Sequence, residues 1–350
     1  MNSLIEQLEN GQDLEARQAN QVAEILLDPV TDDERKAKLL KALAAKGETA
    51  TEIAGIAEVF LERSLNPHIG LLDLDGPTLD IVGTGGDRLN LFNVSTTSMF
   101  VAAGAGAIVT KHGNRGISSM SGGADVLEAL GIGLNLGPDA LRDCVESCGV
   151  GFLFAPNFHP AFKTVTALRR DLAGDGIRTV FNLLGPLLNP ARPQCQLIGV
   201  SDPALTPTFA EISQRLGREC VWVVHGTTED GRSVDELSTM GPNTVWKAGA
   251  YQDLEEEELQ AREFDLRSAT LDELVGGSPK QNAVILESIL DGSDKGAKAD
   301  LVLLNAGAAI TAAGLADHLE DGIQAARASI DSGSALQKLH GLQAWCGSRG

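Results

Sequence analysis

No window of the 350-residue chain approaches eighteen uninterrupted apolar residues, so no transmembrane helix is expected. The N-terminus, MNSLIEQLENGQDLEARQANQ, lacks the basic stretch and apolar run of a signal peptide, and a cytoplasmic protein is expected. Cysteine is sparse. The five residues Cys144, Cys148, Cys195, Cys220 and Cys346 form an odd set at unrelated spacings, which argues against a disulfide framework. Cys144 and Cys148 lie four apart on an expected helix, but no second His or Cys pair completes a zinc site. Five reduced, mostly buried thiols are the expectation. Positive charge is also short, with 28 Lys and Arg against 48 Asp and Glu, a net charge of −20. That field opposes nucleic acid as a partner, though a small anion can bind where local cations and backbone amides outweigh it. The four glutamates at 255–258 read as a solvated helix face or loop.

Familiar catalytic signatures are missing too. Counting G-x-G-x-x-G from Gly83 puts Arg88 at the third glycine, and no G-K-[ST] occurs anywhere. Neither a Ser-His-Asp nor a Cys-His arrangement is apparent.

What is present suits an α/β protein: 43% hydrophobic residues, 39 glycines and few aromatics. Residues 3 to about 70 read as helices only, with helical apolar spacing, a capped acidic start at TDDERKAKLLKALAAKG and a stop at Gly47. From Leu79 the texture changes. TLDIVGTGG reads as a strand running into glycines, STTSMFVAAGAG as a helix, AIVTKHGN as a strand and SGGADVLEALGI as a helix. CQLIGVSD, CVWVVHG and ADLVLLNAGAA are read as further strands of a mostly parallel sheet. The stretch 151–190 looks helical and loop-rich. The expected organisation is an N-terminal helical domain, 1–73, on which 151–190 packs, and a larger α/β domain formed by 74–150 and 191–350. Functional loops then belong at the C-terminal ends of the strands.

GTGGD (83–87) supplies glycines that admit a bulky ligand close to the backbone, and amides that can cradle an anion. Asn93, Ser95, Thr96 and Thr97 follow where a helix begins, offering caps, hydroxyls and a positive dipole end to a phosphate. A tight, capped strand-to-helix turn with no ligand is the plainer reading. TKHGNRGISS (110–119) concentrates Lys111, His112 and Arg115 at a second strand end, with Asn114, Ser118 and Ser119 as neutral donors. Two such loops on one sheet edge favour an anion site over local charge balance. Asp235 and Glu236 in SVDELS are the kind of carboxylate pair that holds Mg²⁺ with a substrate's phosphates, but only if the sheet brings them to these loops. His159, Lys163, Arg169 and Arg170 flank a proline-interrupted loop; a lone His beside Pro is commonly structural, whereas an arginine facing a cleft can hold a carboxylate. RTVFNLLGPLLNPA (178–191) reads as a hinge or packing segment.

Taken in order, GTGGD, NVST, KHGNR, APNFHPA, RTVFNLLGPLLNPA, VDE and GGSPKQNA…LVLLNAGAA span nearly the whole chain and resemble the anthranilate phosphoribosyltransferases. The resemblance implies a nucleoside-phosphorylase-like phosphoribosyltransferase fold and a homodimer through the helical domains. It also implies transfer of the phosphoribosyl group of 5-phosphoribosyl 1-diphosphate to the amine of anthranilate in tryptophan biosynthesis. Gly83, Gly86, Asp87, Asn93, Val94, Ser95, Thr96, Lys111, His112, Gly113, Asn114, Arg115, Ser118 and Ser119 match positions that bind the sugar diphosphate. Gly83, Asn114 and Arg169 match anthranilate contacts, and His159 matches a histidine on its entry path. Ser95, Asp235 and Glu236 match the Mg²⁺ positions. The family often has Ser or Thr at Leu91, Ser at Gly123 and a polar or basic residue at Met120. Neither a nucleic acid nor a membrane is an expected partner. Two rival readings share the scaffold. A pyrimidine nucleoside phosphorylase would carry different glycine and lysine loops, and a non-catalytic nucleic-acid-binding relative would carry a basic groove and lack the Asp-Glu pair.

Overall fold

The structure, a computed structural model, describes residues 1–116, 120–249 and 252–348. Four helices come first: α1 (Asn2–Glu9), α2 (Ala16–Leu27), α3 (Asp33–Lys46) and α4 (Ala50–Glu62). Asp32 caps α3 by accepting from Arg35 N at 2.9 Å, Asp33 and Glu34 complement the helix dipole, and Gly47 at φ 88° stops it. Thr49 and Glu52 form a capping box on α4, and buried Glu52 also holds Leu14 N (2.8 Å) and Lys46 (3.0 Å). Leu4, Leu8, Val22, Leu26, Leu39, Leu43, Ile53, Ile56 and Phe60 close the bundle core.

A single sheet follows. Its strands are β1 (Thr78–Gly83), β2 (Ile108–Gly113), β3 (Val150–Phe154), β4 (Cys195–Gly199), β5 (Cys220–Thr227), β6 (Ser233–Val234), β7 (Asn243–Gly249) and β8 (Gln252–Leu259). The order is β3-β2-β1-β4-β5-β7-β8, with β6 paired to β5. The first five are mutually parallel, and β6, β7 and β8 join antiparallel. On one face lie α5 (Val94–Gly104), α6 (Gly123–Ala129) and the helix Ala297–Ala312. The other face, through Ile198, Val200, Val221 and Val223, shares one apolar core with the N-terminal bundle, the helix Thr206–Arg215 and Val165, Leu168, Leu172, Val180 and Phe181. The rim segment 165–188 thus packs on the bundle. The helix α7 (Pro138–Cys148) precedes β3.

Three expectations need correction. LVLLNAGAA is not a strand but part of the helix Ala297–Ala312, which is buried nearly all round, so its apolar run carries no period that distinguishes helix from strand. The glutamates 255–258 are neither helix nor loop. They form half of β8, where Lys247 of β7 pairs with Glu257 at 2.6 Å. A charged edge strand resists pairing with other chains, which accounts for the composition. The segment read as helical from residue 151 begins instead with β3, the opposite edge of the sheet. Cys144 and Cys148 do lie on a helix, and no cysteine among the described residues is in a disulfide; two are buried and three half-buried. Among the described residues no helix is long and apolar enough to cross a membrane.

Candidate active site

The loops at the C-terminal ends of β1, β2, β4 and β5 converge. Gly83 and Gly199 stand side by side in register at the ends of β1 and β4. A Cβ on Gly83 would meet Asp235 Oδ2 at 2.6 Å, and one on Gly199 would overlap the Asp235 carbonyl. Their lack of side chains lets residues 235–236 lie directly over the strand ends. Beyond Gly83 the backbone turns through left-handed Gly85 (φ 69°) and Gly86 (φ 93°), and the Gly85 amide donates to Asp235 Oδ2 at 2.6 Å. Ser201, after β4, steadies this turn by donating from its amide to Thr84 Oγ1 (3.1 Å) and from its hydroxyl to Gly85 O (3.0 Å).

Asp87, Asp235 and Glu236 therefore crowd one spot. Burial raises Asp235 to about 7, with the Asp87 carboxylate adding to the shift. Glu236 rises to about 8, first by burial and then by Asp235, while Lys111 and the Ser95 amide pull the other way. Such a cluster is short of positive charge and supplies the hard oxygen donors that Mg²⁺ takes. No group of three or more His, Cys, Asp or Glu among the described residues could hold a metal ion by itself.

The helix α5 begins beside this cluster. Val94 and Thr96 are buried, and Ser95 receives the Lys111 ammonium at 3.2 Å. Asn93 caps nothing with its side chain; its amide donates to Ser121 O (3.0 Å), and its Oδ1 accepts from Ser121 Oγ (3.1 Å) and Asn282 Nδ2 (2.8 Å). Asn93 is a junction of three segments.

The second loop carries less charge than its residue types suggest. Lys111 is buried, its ammonium bonded to Ile81 O, and burial pushes its pKa down against the pull of Asp80, Glu236 and Asp235. His112 is pushed down to about 3 by burial and by His159, so it is neutral; its ring nitrogen meets His159 Nε2 at 3.1 Å. Arg115 is tied to Glu128 at 2.8 Å and to Asp125 at 3.4 Å on α6. The expected trio of cations is thus one buried ammonium, one neutral imidazole and one neutralised guanidinium. Gly113 ends β2, and the Asn114 side chain accepts from the Arg115 amide at 2.8 Å. Ser118 and Ser119 lie outside the described residues. A Cβ on Gly123 would meet Thr96 Oγ1 at 2.9 Å, so this chain has no room there for the family's serine, while Leu91 is bridged to Val275.

On the bundle side, burial lowers His159 to about 4. Its ring meets Phe162 edge-on at 5.6 Å, and the Arg169 guanidinium lies over Phe162 (5.3 Å) and Phe181 (5.0 Å). Arg169 is half-buried with no carboxylate within 4 Å among the described residues, and burial lowers its pKa. An unbroken path of side chains therefore runs from Lys111–His112 through His159 and Phe162 to Arg169. Lys163 and Arg170 are exposed.

Sequence reasoning missed the residues that hold the acid pair. Asn305 accepts from Leu237 N and donates to Leu237 O, both at 2.9 Å, and Asn243 does the same for Ser238 at 2.6 and 2.9 Å. Asp80 was missed as well: wholly buried, it accepts from His112 N at 3.1 Å under the second loop. Asn305 lies in LVLLNAGAA, where the motif itself was the available signal.

Residues 75–336 match the a/b domain of the glycosyl transferase family, and residues 2–64 its helical bundle domain. The anthranilate phosphoribosyltransferase of Roseiflexus castenholzii is 44% identical over 336 residues, 96% of this chain and 95% of the relative. That of Haloferax volcanii is 44% identical over 344 residues, 98% and 99% of the two chains. The crystal structure of anthranilate phosphoribosyltransferase from Thermus thermophilus superposes with a TM-score of 0.87 at 39% identity, covering 98% of this chain and 99% of that one. The Saccharomyces cerevisiae enzyme, solved in complex with PRPP and Mg, gives 0.79 at 31% identity, covering 94% and 92%.

Proposed function

We infer, from the premise that this chain belongs to the anthranilate phosphoribosyltransferase family, how its own residues carry out that family's reaction. The protein transfers the phosphoribosyl group of 5-phosphoribosyl 1-diphosphate to the amine of anthranilate, giving N-(5-phosphoribosyl)anthranilate and diphosphate. Mg²⁺ is its cofactor. The observation that carries the assignment of residues is the Asp235–Glu236 pair seated on the Gly85 amide beside the start of α5.

The anthranilate amine is neutral near pH 7, so attack on the sugar needs no prior deprotonation. What the reaction demands is stabilisation of the departing diphosphate and of a cationic ribose, which calls for placed charge and dipoles rather than a covalent nucleophile. The GTGGD amides, the first turn of α5 with Ser95 and Thr96, and the Lys111 ammonium hold the sugar diphosphate; Gly83, Gly86, Asp87, Asn93, Val94 and the 112–115 loop shape its seat. Asp235, Glu236 and Ser95 hold the metal, which when bound neutralises charge on the diphosphate. Arg169 takes the anthranilate carboxylate in a two-point clasp, its guanidinium resting on Phe162 and Phe181 and paired with no carboxylate among the described residues. His159 and His112 stay neutral and line the way in, and Asn114 and Gly83 face the acceptor. Ser118 and Ser119 complete the donor loop.

In this reading residues 1–73 and 155–190 form the smaller unit, which closes on the sheet and keeps water from the activated sugar. The chain acts as a cytoplasmic homodimer joined through the helical bundle, and sedimentation measures that state.

The decisive assay is loss of anthranilate fluorescence on adding 5-phosphoribosyl 1-diphosphate with Mg²⁺, repeated with a chelator. Metal-dependent loss is expected; no loss from folded protein in either condition would overturn the reading.

A further inference from the structure

A cavity lies at the C-terminal end of α7, with Cys148 in its lining and the buried Cys144 one helical turn behind it. This cavity, about 660 Å³, lies between Gly104 at the close of α5, Ser147 and Cys148 at the close of α7, and one face of the C-terminal helix Ser334–Gly347. That face presents Ser334, Gln337, Lys338, Gly341, Ala344 and Trp345. The volume suits a small organic molecule. In a chain of net charge −20, none of the lining residues is acidic and Lys338 is the one charged group among them.

Lys338 has a second part to play. A helix C-terminus carries partial negative charge, which works against a thiolate there. The Lys338 ammonium donates to the Cys148 carbonyl at 3.0 Å, at that end of α7, and so offsets the effect. Cys148 is half-buried, and a hydrogen bond with Cys144, aided by the charge of Lys338, lowers its thiol to about 7. The other thiols are held back. Cys144 is wholly buried, burial pushes Cys195 up to about 12, and burial also raises Cys220 and Cys346. Reactive thiols sit in electropositive, partly exposed surroundings; Cys148 and Cys220 each have a lysine close by, but burial outweighs it at Cys220 and only at Cys148 does the balance lower the thiol.

We propose that this cavity is a modification site in which Cys148 exchanges with small disulfides that carry carboxylates, drawn in by Lys338. The Cys148 thiolate attacks one sulfur of the incoming disulfide, the S–S bond breaks, and the other half leaves as a thiolate that takes up a proton. The product is a mixed disulfide on Cys148; the small disulfide is the oxidant and no other is needed. A thiol reductant reverses the step. Ser147, Ser334 and Gln337 offer hydrogen bonds to the adduct's polar arms, and Trp345 gives it an apolar wall.

Oxidised glutathione is the probe, applied to the full native chain near pH 7.5, with the adduct located by fragmentation mass spectrometry. The expected result is one glutathione per chain on Cys148, removed by dithiothreitol and absent from Cys148→Ser. Lys338→Met is expected to slow both reactions, because the thiol rises without the ammonium, but to slow oxidised glutathione about fivefold more than neutral hydroxyethyl disulfide. The unmodified protein gives a second test, independent of how the variant folds. At about 1 M salt, where the Debye length is about 3 Å and the net charge is screened, it should still react faster with oxidised glutathione than with the same disulfide esterified at its carboxyls. Adducts appearing equally fast on Cys220 or Cys346, no adduct on the folded protein, or equal slowing with both disulfides would each overturn the proposal.

Discussion

At Asp235 and Glu236, carboxyls raised to about 7 and about 8 make the metal-free protein sensitive to alkali. Each binds more protons folded than unfolded between the ordinary carboxyl pKa, about 4, and its folded value. Stability therefore falls as pH rises through that window and levels off once both groups ionise. The melting temperature of metal-free protein, compared with Asp235→Asn/Glu236→Gln, should drop between about pH 5 and 8 and run parallel above that. Mg²⁺ should recover more stability at pH 8 than at pH 6, since only the ionised pair attracts it. A difference between the two proteins that stays flat with pH would rule out the raised pair. The same double variant should lose about a thousandfold in kcat while remaining folded, as steady-state kinetics and circular dichroism would report. Arg169 makes a different prediction. Its guanidinium rests on Phe162 and Phe181 and has no carboxylate partner among the described residues, so Arg169→Ala should raise KM for anthranilate about tenfold or more and change KM for the sugar diphosphate little. The reverse pattern would remove it from the acceptor site.

Among elements, those that bear the glycine loops were legible because their signals are local. An apolar run ending in GTGGD, then hydroxyl residues, specifies strand, turn and helix within twenty positions. The elements that failed to announce themselves depend on distant neighbours. The Ala297–Ala312 helix is apolar on every side because the sheet, α5 and the helix Leu319–Asp331 surround it, and β8 is glutamate-rich because it ends the sheet. Asn305 shows the same limit for the site. Its partner, Leu237, is 68 positions away, and only the fold shows that a helix amide fixes the backbone next to Glu236. The Asn305→Ala variant leaves the Leu237 amide and carbonyl without that partner in a dry interior. A loss of about 2–3 kcal/mol is expected by denaturant unfolding, with a higher Mg²⁺ concentration for half-maximal rate. A variant equally destabilised but unchanged in its Mg²⁺ requirement would make Asn305 a packing residue only.

For the whole molecule the governing quantity is charge. Both substrates are anions approaching a surface of net charge −20, and the cations expected to counter that field are largely spent: Arg115 on Glu128 and Asp125, His112 neutral, Lys111 buried. What binds the sugar diphosphate acts at contact distance, through amides, one ammonium and the metal, whereas the repulsion reaches across the solvent. Salt screens the second more than the first, because the Debye length shrinks from about 30 Å at 0.01 M to about 8 Å at 0.15 M. Raising salt across that range at saturating Mg²⁺ should therefore lower KM for 5-phosphoribosyl 1-diphosphate about two- to threefold, with kcat nearly constant. Proteins that steer anions with an exposed basic patch show the opposite slope. A KM that climbs with salt would mean that exposed cations near the mouth, Arg88 foremost, outweigh the global field and guide the donor in.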